Sequence, residues 1–488
     1  MVAGLIQLAS KNSEDLYLTA DPEVTFFKMV YKRYTNFSQE LIPLVFNREP
    51  GFGQQSVCKI TSNGDLINKM YYSTFLPSIP KSFDNITGEE EKIIKYAWVK
   101  KIGYALIKSI ELEIGGVTID RQFGEYLNLW YELSETVLKG TLDKLIGNIS
   151  TLYDFSNGKD DYELIIPLKF WFCSNIANSL PIVAISFNDI KINLAIEKLD
   201  FLLRQSSTHY IEIDENVCQF KENDIIYQSK DTTIYNIFSH YDYDTKRLYY
   251  IKYNDDFTES SDGVYKIYND TGYDVTPTGS STINVQETLS IELFESKLLV
   301  NYIFLDNMER YKFIVSNHEY LIDVVVHQGE SRINNKYFNI NAGFTQMSKQ
   351  LFFVAQYVNM SQRFIKDSFN YKSDLSSDSD GLIKNIKILL NSVPRSTITE
   401  FQYYSYIHPL YYCSNSPSEG INIFSFSLDP ENNLPKGSCN FSEIDNIQFS
   451  VEVNGKVNVS KQVLFKVYSH EYNVLRISEG LCELAFSH

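Results

Sequence analysis

The chain has 488 residues, 44% of them hydrophobic, which calls for two or three domains with real cores and excludes wholesale disorder. Its 44 basic residues stand against 61 acidic ones, and the net charge of −17 argues against a surface built to grip a nucleic-acid backbone. Six scattered cysteines without a C-x-x-C pair exclude a zinc ribbon and suit free thiols in a reducing compartment.

Residues 1–22 form a mildly apolar arm. A basic cluster follows, Lys28, Lys32 and Arg33, interleaved with Phe26, Phe27, Tyr31 and Tyr34. With so acidic a chain this reads as the solvated face of a half-buried element and not as a nucleic-acid contact. From Glu23 to about Asp200, alternating extended patterns are broken by turn residues such as Ser62-Asn63-Gly64-Asp65. The clearest segment runs from Ile107 to Asp120. Ile110, Leu112 and Ile114 alternate with Glu111 and Glu113, Gly115-Gly116 supplies the turn, and Val117 and Ile119 resume against Thr118 and Asp120. This pattern predicts a β-hairpin with one dry and one wet face. Leu164 to Phe172 is a dense apolar run holding Pro167, and Ile190, Ile192, Leu194 and Ile196 mark a half-buried strand.

The stretch at about 201–290 is rich in Tyr and Asp, with turn signals at Asn254-Asp255-Asp256 and Thr278-Gly279-Ser280, and reads as an ordered excursion. Strand character returns at Leu298 to Leu305. Asp306 then stands before Asn307-Met308-Glu309, a spacing that predicts a capping box with Asp306 and Glu309 bonding reciprocally at the start of a short helix, 307–317. A second hairpin is expected at Phe449 to Ser460, where Val451 and Val453 precede an Asn454-Gly455 turn and Val457 and Val459 answer. Two β units joined by a capped helix follow from the residues alone.

Catalytic and metal motifs fail on inspection. His318-Glu319-Tyr320 and His470-Glu471-Tyr472 lack the second histidine of a zincin helix. Asp378-Ser379-Asp380-Gly381 has Ser376 and Lys387 where a calcium loop needs Asp and Glu. No nucleophile elbow or dinucleotide turn is present. No catalytic residue, cofactor or metal ligand is therefore assigned, and no apolar run is long enough to span a membrane. The carboxylates Glu111 and Glu113 share a face, but on an alternating strand that is the wet face. Seven Asn-x-Ser/Thr sequons are what an Asn-rich and Ser-rich chain produces by chance.

Several ordered blocks resemble the major capsid proteins of the nucleocytoplasmic large DNA viruses, of chlorovirus and mimivirus type. They include Gly4-Leu5-Ile6-Gln7-Leu8, Asp15-Leu16-Tyr17-Leu18-Thr19, Asn63-Gly64-Asp65-Leu66-Ile67, and the opening hairpin with Ile114-Gly115-Gly116 and Ile119-Asp120. Pro167-Leu168 with Phe170-Trp171-Phe172 continues the series, as do Tyr302-Ile303-Phe304-Leu305-Asp306, Gly437-Ser438-Cys439-Asn440-Phe441-Ser442 and Tyr472-Asn473-Val474-Leu475-Arg476-Ile477. The resemblance implies an all-β chain of two consecutive eight-stranded antiparallel jelly rolls. The first would span 23–306 with the inserted excursion, the second 318–488.

The implied function is structural. Homotrimers with a pseudo-hexagonal outline would tile an icosahedral shell in the virion, assembled in the infected host's cytoplasm. Minor capsid or penton proteins would lie beneath or beside them, over an inner membrane, without direct nucleic-acid binding. Two competitors are a minor capsid paralogue or assembly scaffold, and a carbohydrate-active β-sandwich. The last would need an aromatic groove with a carboxylate pair.

Overall fold

Period-two patterning becomes antiparallel sheet in both halves of the chain. The structure is a computed structural model. It describes residues 33–81, 95–134, 139–207, 209–213, 218–220, 224–229, 231–242, 246–252, 255, 257, 265–269, 272–282, 291–358, 367–373, 380–454, 457 and 462–486, with Leu5, Ala20, Asp21, Glu23 and Phe27. Two compact units are present, Met1–Phe37 and Ser38–His488. In the first, Phe27 and Tyr34 hold their rings in solvent.

The sheets fall into two sets. In chain order the eight strands of the first set's two main sheets are Phe37–Val45, Gln55–Lys59, Leu66–Leu76, Ile107–Ile114, Val117–Gln122, Tyr162–Pro167, Ile190–Ile196 and Phe294–Leu305. Numbered 1 to 8, they form two four-stranded sheets in the orders 1-8-3-6 and 2-7-4-5. A short linker helix, Asn307–Val315, follows. Then come His318–Ile333, Tyr337–Ala342, Met347–Tyr357, Ile383–Leu390, Val393–Pro394, Ile421–Ser425, Ile447–Val453 and Val463–Ser478. These eight repeat the same two orders, with Cys439–Asn440 and Leu481–Leu484 added to the first sheet. Paired sheets with this interleaved order are jelly rolls. Each encloses apolar side chains from alternate positions: Ile110, Leu112, Ile192 and Leu194 in the first roll, Phe353, Ile386, Phe449 and Phe465 in the second, all within 1% of full burial. Each such side chain contributes about 1.5–3 kcal/mol.

Antiparallel order sends the connections 1–2, 3–4, 5–6 and 7–8 of a roll to one end. In the first roll this is seen directly, since Gly53 N donates to Glu197 O at 3.0 Å and Tyr96–Trp98 pairs with Leu203–Gln205. The opposite end holds the 2–3 turn and the linker helix. There Asp65 accepts from Leu305 N at 2.8 Å and from Arg310 at 3.0 Å. A nine-residue helix rises about 14 Å, too little to cross a roll, so both rolls present their long connections at the same end.

The excursion fills the first roll's 7–8 connection. It is a seven-stranded antiparallel sheet built from His209–Ile213, Ile225–Gln228, Asp231–Asp242, Arg247–Ile251, Ile267–Asn269, Asp274–Val275 and Pro277–Thr282. Ile211, Ile226, Phe238, Leu248 and Ile267 give it a core of its own.

Three expectations need correction. Asp120 is buried and Val117 exposed, because a bulge between Leu112 and Glu113 shifts the pairing so that Leu112 faces Asp120 and the alternation flips. The described residues of the expected Asn454-Gly455 hairpin do not pair with each other. Both edges of Ile447–Val453 are taken, by Tyr337–Ala342 and Ile383–Leu390, so the chain crosses to the other sheet at Val463. Gly455 lies outside the described residues, as does most of the acidic loop at 373–381. The linker helix ends at Val315 and not at residue 317, and it has no capping box. Asp306 is the N-cap, but its side chain makes no cap bond and Glu309 Oε2 has no partner. The helix is tethered instead by Asp65, through Leu305 and Arg310.

Candidate functional site

The hairpin turn behaves as its two glycines require. Gly115 and Gly116 have φ of 60° and 86°, and a Cβ on Gly115 would stand 1.9 Å from Asn188 Nδ2. Asn188 in turn accepts from Cys482 N at 3.0 Å, and Phe187 N donates to Gly480 O at 3.0 Å. The turn therefore sits where the first roll meets the end of the second. Ile322, Val324, Leu475, Ile477 and Cys482, all from the second roll, belong to the first roll's core.

The strongest joint between the rolls comes from the helix Gly124–Ser134, in the first roll's 5–6 connection. Tyr126, Leu129 and Leu133 pack on Phe352, Val354, Ile421 and Ile423 of the second roll. Gly124 lets the helix begin tightly, since a Cβ there would lie 1.9 Å from Tyr104 O. Glu125 follows and accepts from Tyr468 Oη at 2.6 Å and Tyr371 Oη at 3.1 Å. It also pairs with Lys466 at 3.0 Å, and Lys466 reaches Glu330 at 3.1 Å. Burial opposes ionisation of Glu125, but Lys466 and Tyr468 hold its carboxyl below the ordinary value. Two turns later Glu132 pairs with Lys101 and accepts from Ser418 N, while Asn415 donates to Leu133 O at 2.8 Å and Glu132 O at 2.7 Å. Beside the helix, Asp120 accepts from Val325 N at 3.0 Å and from Gln122 at 2.9 Å, and burial pushes its carboxyl up to about 6.

This joint leaves a cleft of about 450 Å³ lined by Glu125, His327, Glu330, Lys466 and Tyr468. Of its three carboxylates, Glu125 and Glu330 share one lysine and act as an ion-pair clamp, while Glu197 lines the cleft apart from that pair. Among the described residues no group of three or more His, Cys, Asp or Glu could hold a metal, and no helix is long and apolar enough to cross a membrane. Sequence reading passed over Glu125 and Glu132. Their signal was the helical spacing of Tyr126, Leu129 and Leu133 between two strand patterns.

Two helices display large apolar side chains outward. On the linker helix, where no residue is buried, Met308, Tyr311, Ile314 and Val315 are 74%, 66%, 50% and 62% exposed. At the opposite end, the second roll's 5–6 connection forms Tyr403–Ile407 and His408–Tyr412, and exposes Tyr406, Ile407, Leu410 and Tyr411. Apolar clusters of this kind mark contact surfaces. Of the residues singled out in the sequence, Gly115 and Gly116 sit at the joint and Asp306 and Glu309 at the linker helix; Asn454 caps neither and donates to Gly381 O at 3.4 Å.

Comparison with known proteins accounts for this architecture. Residues 25–241 match the family described as major capsid protein N-terminus, and residues 309–482 match the large eukaryotic DNA virus major capsid protein family. The probable capsid protein 4 of Acanthamoeba polyphaga mimivirus is 36% identical over 100% of this chain and 99% of the relative, whereas capsid protein 1 of the same virus is 25% identical over the full length of both. The major capsid protein of Pyramimonas orientalis virus is 27% identical, again over 100% of each. Among solved structures, the Faustovirus major capsid protein superposes with a TM-score of 0.66 at 12% identity, covering 96% of this chain and 94% of that one. The PBCV-1 virus capsid gives 0.64 at 20% identity over 95% and 100%. The family is structural and not enzymatic, which removes the carbohydrate-active alternative. The chain belongs to the major capsid proteins of large eukaryotic DNA viruses, the proteins that assemble with themselves into the shell of the virion.

Proposed function

We propose that three copies of this chain form a pseudo-hexagonal capsomer that tiles an icosahedral shell. The observation that carries the reading is the repeated strand order: two jelly rolls with the same 1-8-3-6 and 2-7-4-5 sheets, pointing the same way, give each copy two alike lobes. Three copies then present six lobes on a three-fold axis, and closed symmetry within the capsomer leaves repeated contacts between capsomers. The functional division we assign is a first roll from 23 to 306, a linker helix and a second roll from 318 onward. The exposed faces of the linker helix and of Tyr403–Tyr412 supply contacts between copies. The tyrosine-rich excursion faces outward, and the arm at 1–22 engages a neighbour or the minor proteins beneath the shell, above an inner membrane.

Light scattering on the purified chain tests the reading. A mass of three chains, with six-lobed particles by electron microscopy, is expected; a stable monomer at assembly concentrations overturns it. A second reading, a less abundant shell paralogue, is favoured by the stronger likeness to the mimivirus probable capsid protein 4 than to its capsid protein 1. Quantitative mass spectrometry of purified virions separates the two by copy number.

A further inference from the structure

Lys349 has no solvent exposure, which is rare for a lysine. Its Nζ donates to both carboxylate oxygens of Asp323, at 3.0 Å and 2.9 Å, and to Asn432 O at 3.2 Å, and it lies 5.0 Å from the centre of the Tyr472 ring. The two residues stand on strands that do not touch. Asp323 is on strand 1 of the second roll and Lys349 on strand 3, with strand 8 between them. Asp323 pairs with Tyr472, whereas Ser348 and Gln350 pair with Glu471 and His470 across a bulge that leaves Lys349 out of register. A bulge re-aims the side chain it carries, and here Lys349 reaches across strand 8. On the same face, His470 Nε2 lies 3.9 Å from Asp323 Oδ2.

Taking a carboxylate out of water is costly, and proton transfer within the pair would relieve that cost. Burial pushes the Asp323 carboxyl up, against the pull of Lys349. Burial, with Lys349 nearby, holds the His470 imidazole well below its ordinary value, so it is uncharged. A fixed amine held against a carboxyl group reacts as if at very high concentration.

We propose that Lys349 and Asp323 condense to an amide, a covalent crossbar joining strands 1 and 3 of the second roll over strand 8. The ammonium gives one proton to the carboxylate, and the freed amine attacks Cγ. A second proton leaves the nitrogen, and His470 relays it to the departing hydroxyl. One C–N bond forms, one C–O bond breaks and one water leaves; no oxidant, nucleotide or metal is needed. His470 is a positioning and relay group that is not consumed.

Intact mass of the purified, folded chain is the test. The expected result is a dominant species lighter than the sequence mass by one water, with a branched tryptic peptide joining the segments around Asp323 and Lys349. Lys349→Arg keeps the ion pair and Asp323→Ala removes the carboxyl, and both should give full mass. Asp323→Asn should give the same amide by releasing ammonia instead of water. His470→Gln should slow the mass change at least tenfold after refolding, and an unchanged rate removes the relay. Full sequence mass in the wild-type chain, fresh and aged, overturns the proposal and leaves an ion pair only. That measurement is made on the wild-type chain and stands apart from the assembly reading.

Discussion

Removing Glu125 should loosen the two rolls from each other. Its carboxylate is the first roll's contribution to a buried cluster whose other members, Lys466, Tyr468 and Tyr371, belong to the second roll. Deleting one partner of a buried ion pair costs about 3–5 kcal/mol, mostly because the other charge stays behind unpaired. Lys466 keeps Glu330 at 3.1 Å, but Glu330 is nearly half exposed and therefore a weaker partner. We place Glu125→Ala at the lower end, about 3 kcal/mol, including two tyrosine hydroxyls left without their acceptor. Denaturant unfolding followed by tryptophan fluorescence reports on it, since Trp98, Trp130 and Trp171 all lie in the first roll. The double variant Glu125→Ala/Lys466→Met should recover at least about 1 kcal/mol of the sum of the single losses, because no orphaned charge remains. A single-variant loss below about 1 kcal/mol, or strict additivity, would refute the clamp.

Other expectations follow from the same geometry. Asp120 has its carboxyl raised from 3.8 to about 6 by burial, so its contribution is fully present below the unfolded value and is lost as pH rises through 6. The change amounts to about 3 kcal/mol, so Asp120→Asn should flatten the fall in stability between pH 4 and pH 7 in urea titrations, by roughly that amount. Glu471, pushed up to about 7 by burial despite the Ser469 hydroxyl, acts in the same direction, and Glu471→Gln should raise stability most at pH 8. Gly116→Ala should cost about 1 kcal/mol from its positive φ alone, and Gly115→Ala more, because Asn188 must also give up Cys482; thermal unfolding ranks the two. Tyr311→Ser on the linker helix should change monomer stability by less than about 0.5 kcal/mol yet weaken association, read by sedimentation.

Strand identity was legible wherever one face is dry, and that covers most of both rolls. Ile107–Ile114 and Ile190–Ile196 announce themselves by alternation, and they lie next to each other in one sheet. The failures share a cause: local grammar does not know which edges are already occupied. Asn454-Gly455 looks like a hairpin turn until Tyr337–Ala342 and Ile383–Leu390 are seen on either side of Ile447–Val453. Asp306 and Glu309 have capping spacing, but Asp65, some 240 residues upstream in the sequence, does the tethering. The inter-roll clamp was equally hidden, since Glu125 and Lys466 acquire meaning only when two distant segments meet. Asp120 was misread because one bulge reverses every later side chain.

The first roll's core is finished by Leu475, Ile477 and Cys482, which stand about 170 residues beyond that roll's last strand. Residues up to 306 by themselves therefore make a roll with a hydrophobic wall still missing. The two lobes are in this sense one folding unit: the first is expected to melt together with the second, and to stay open at the seam when expressed alone.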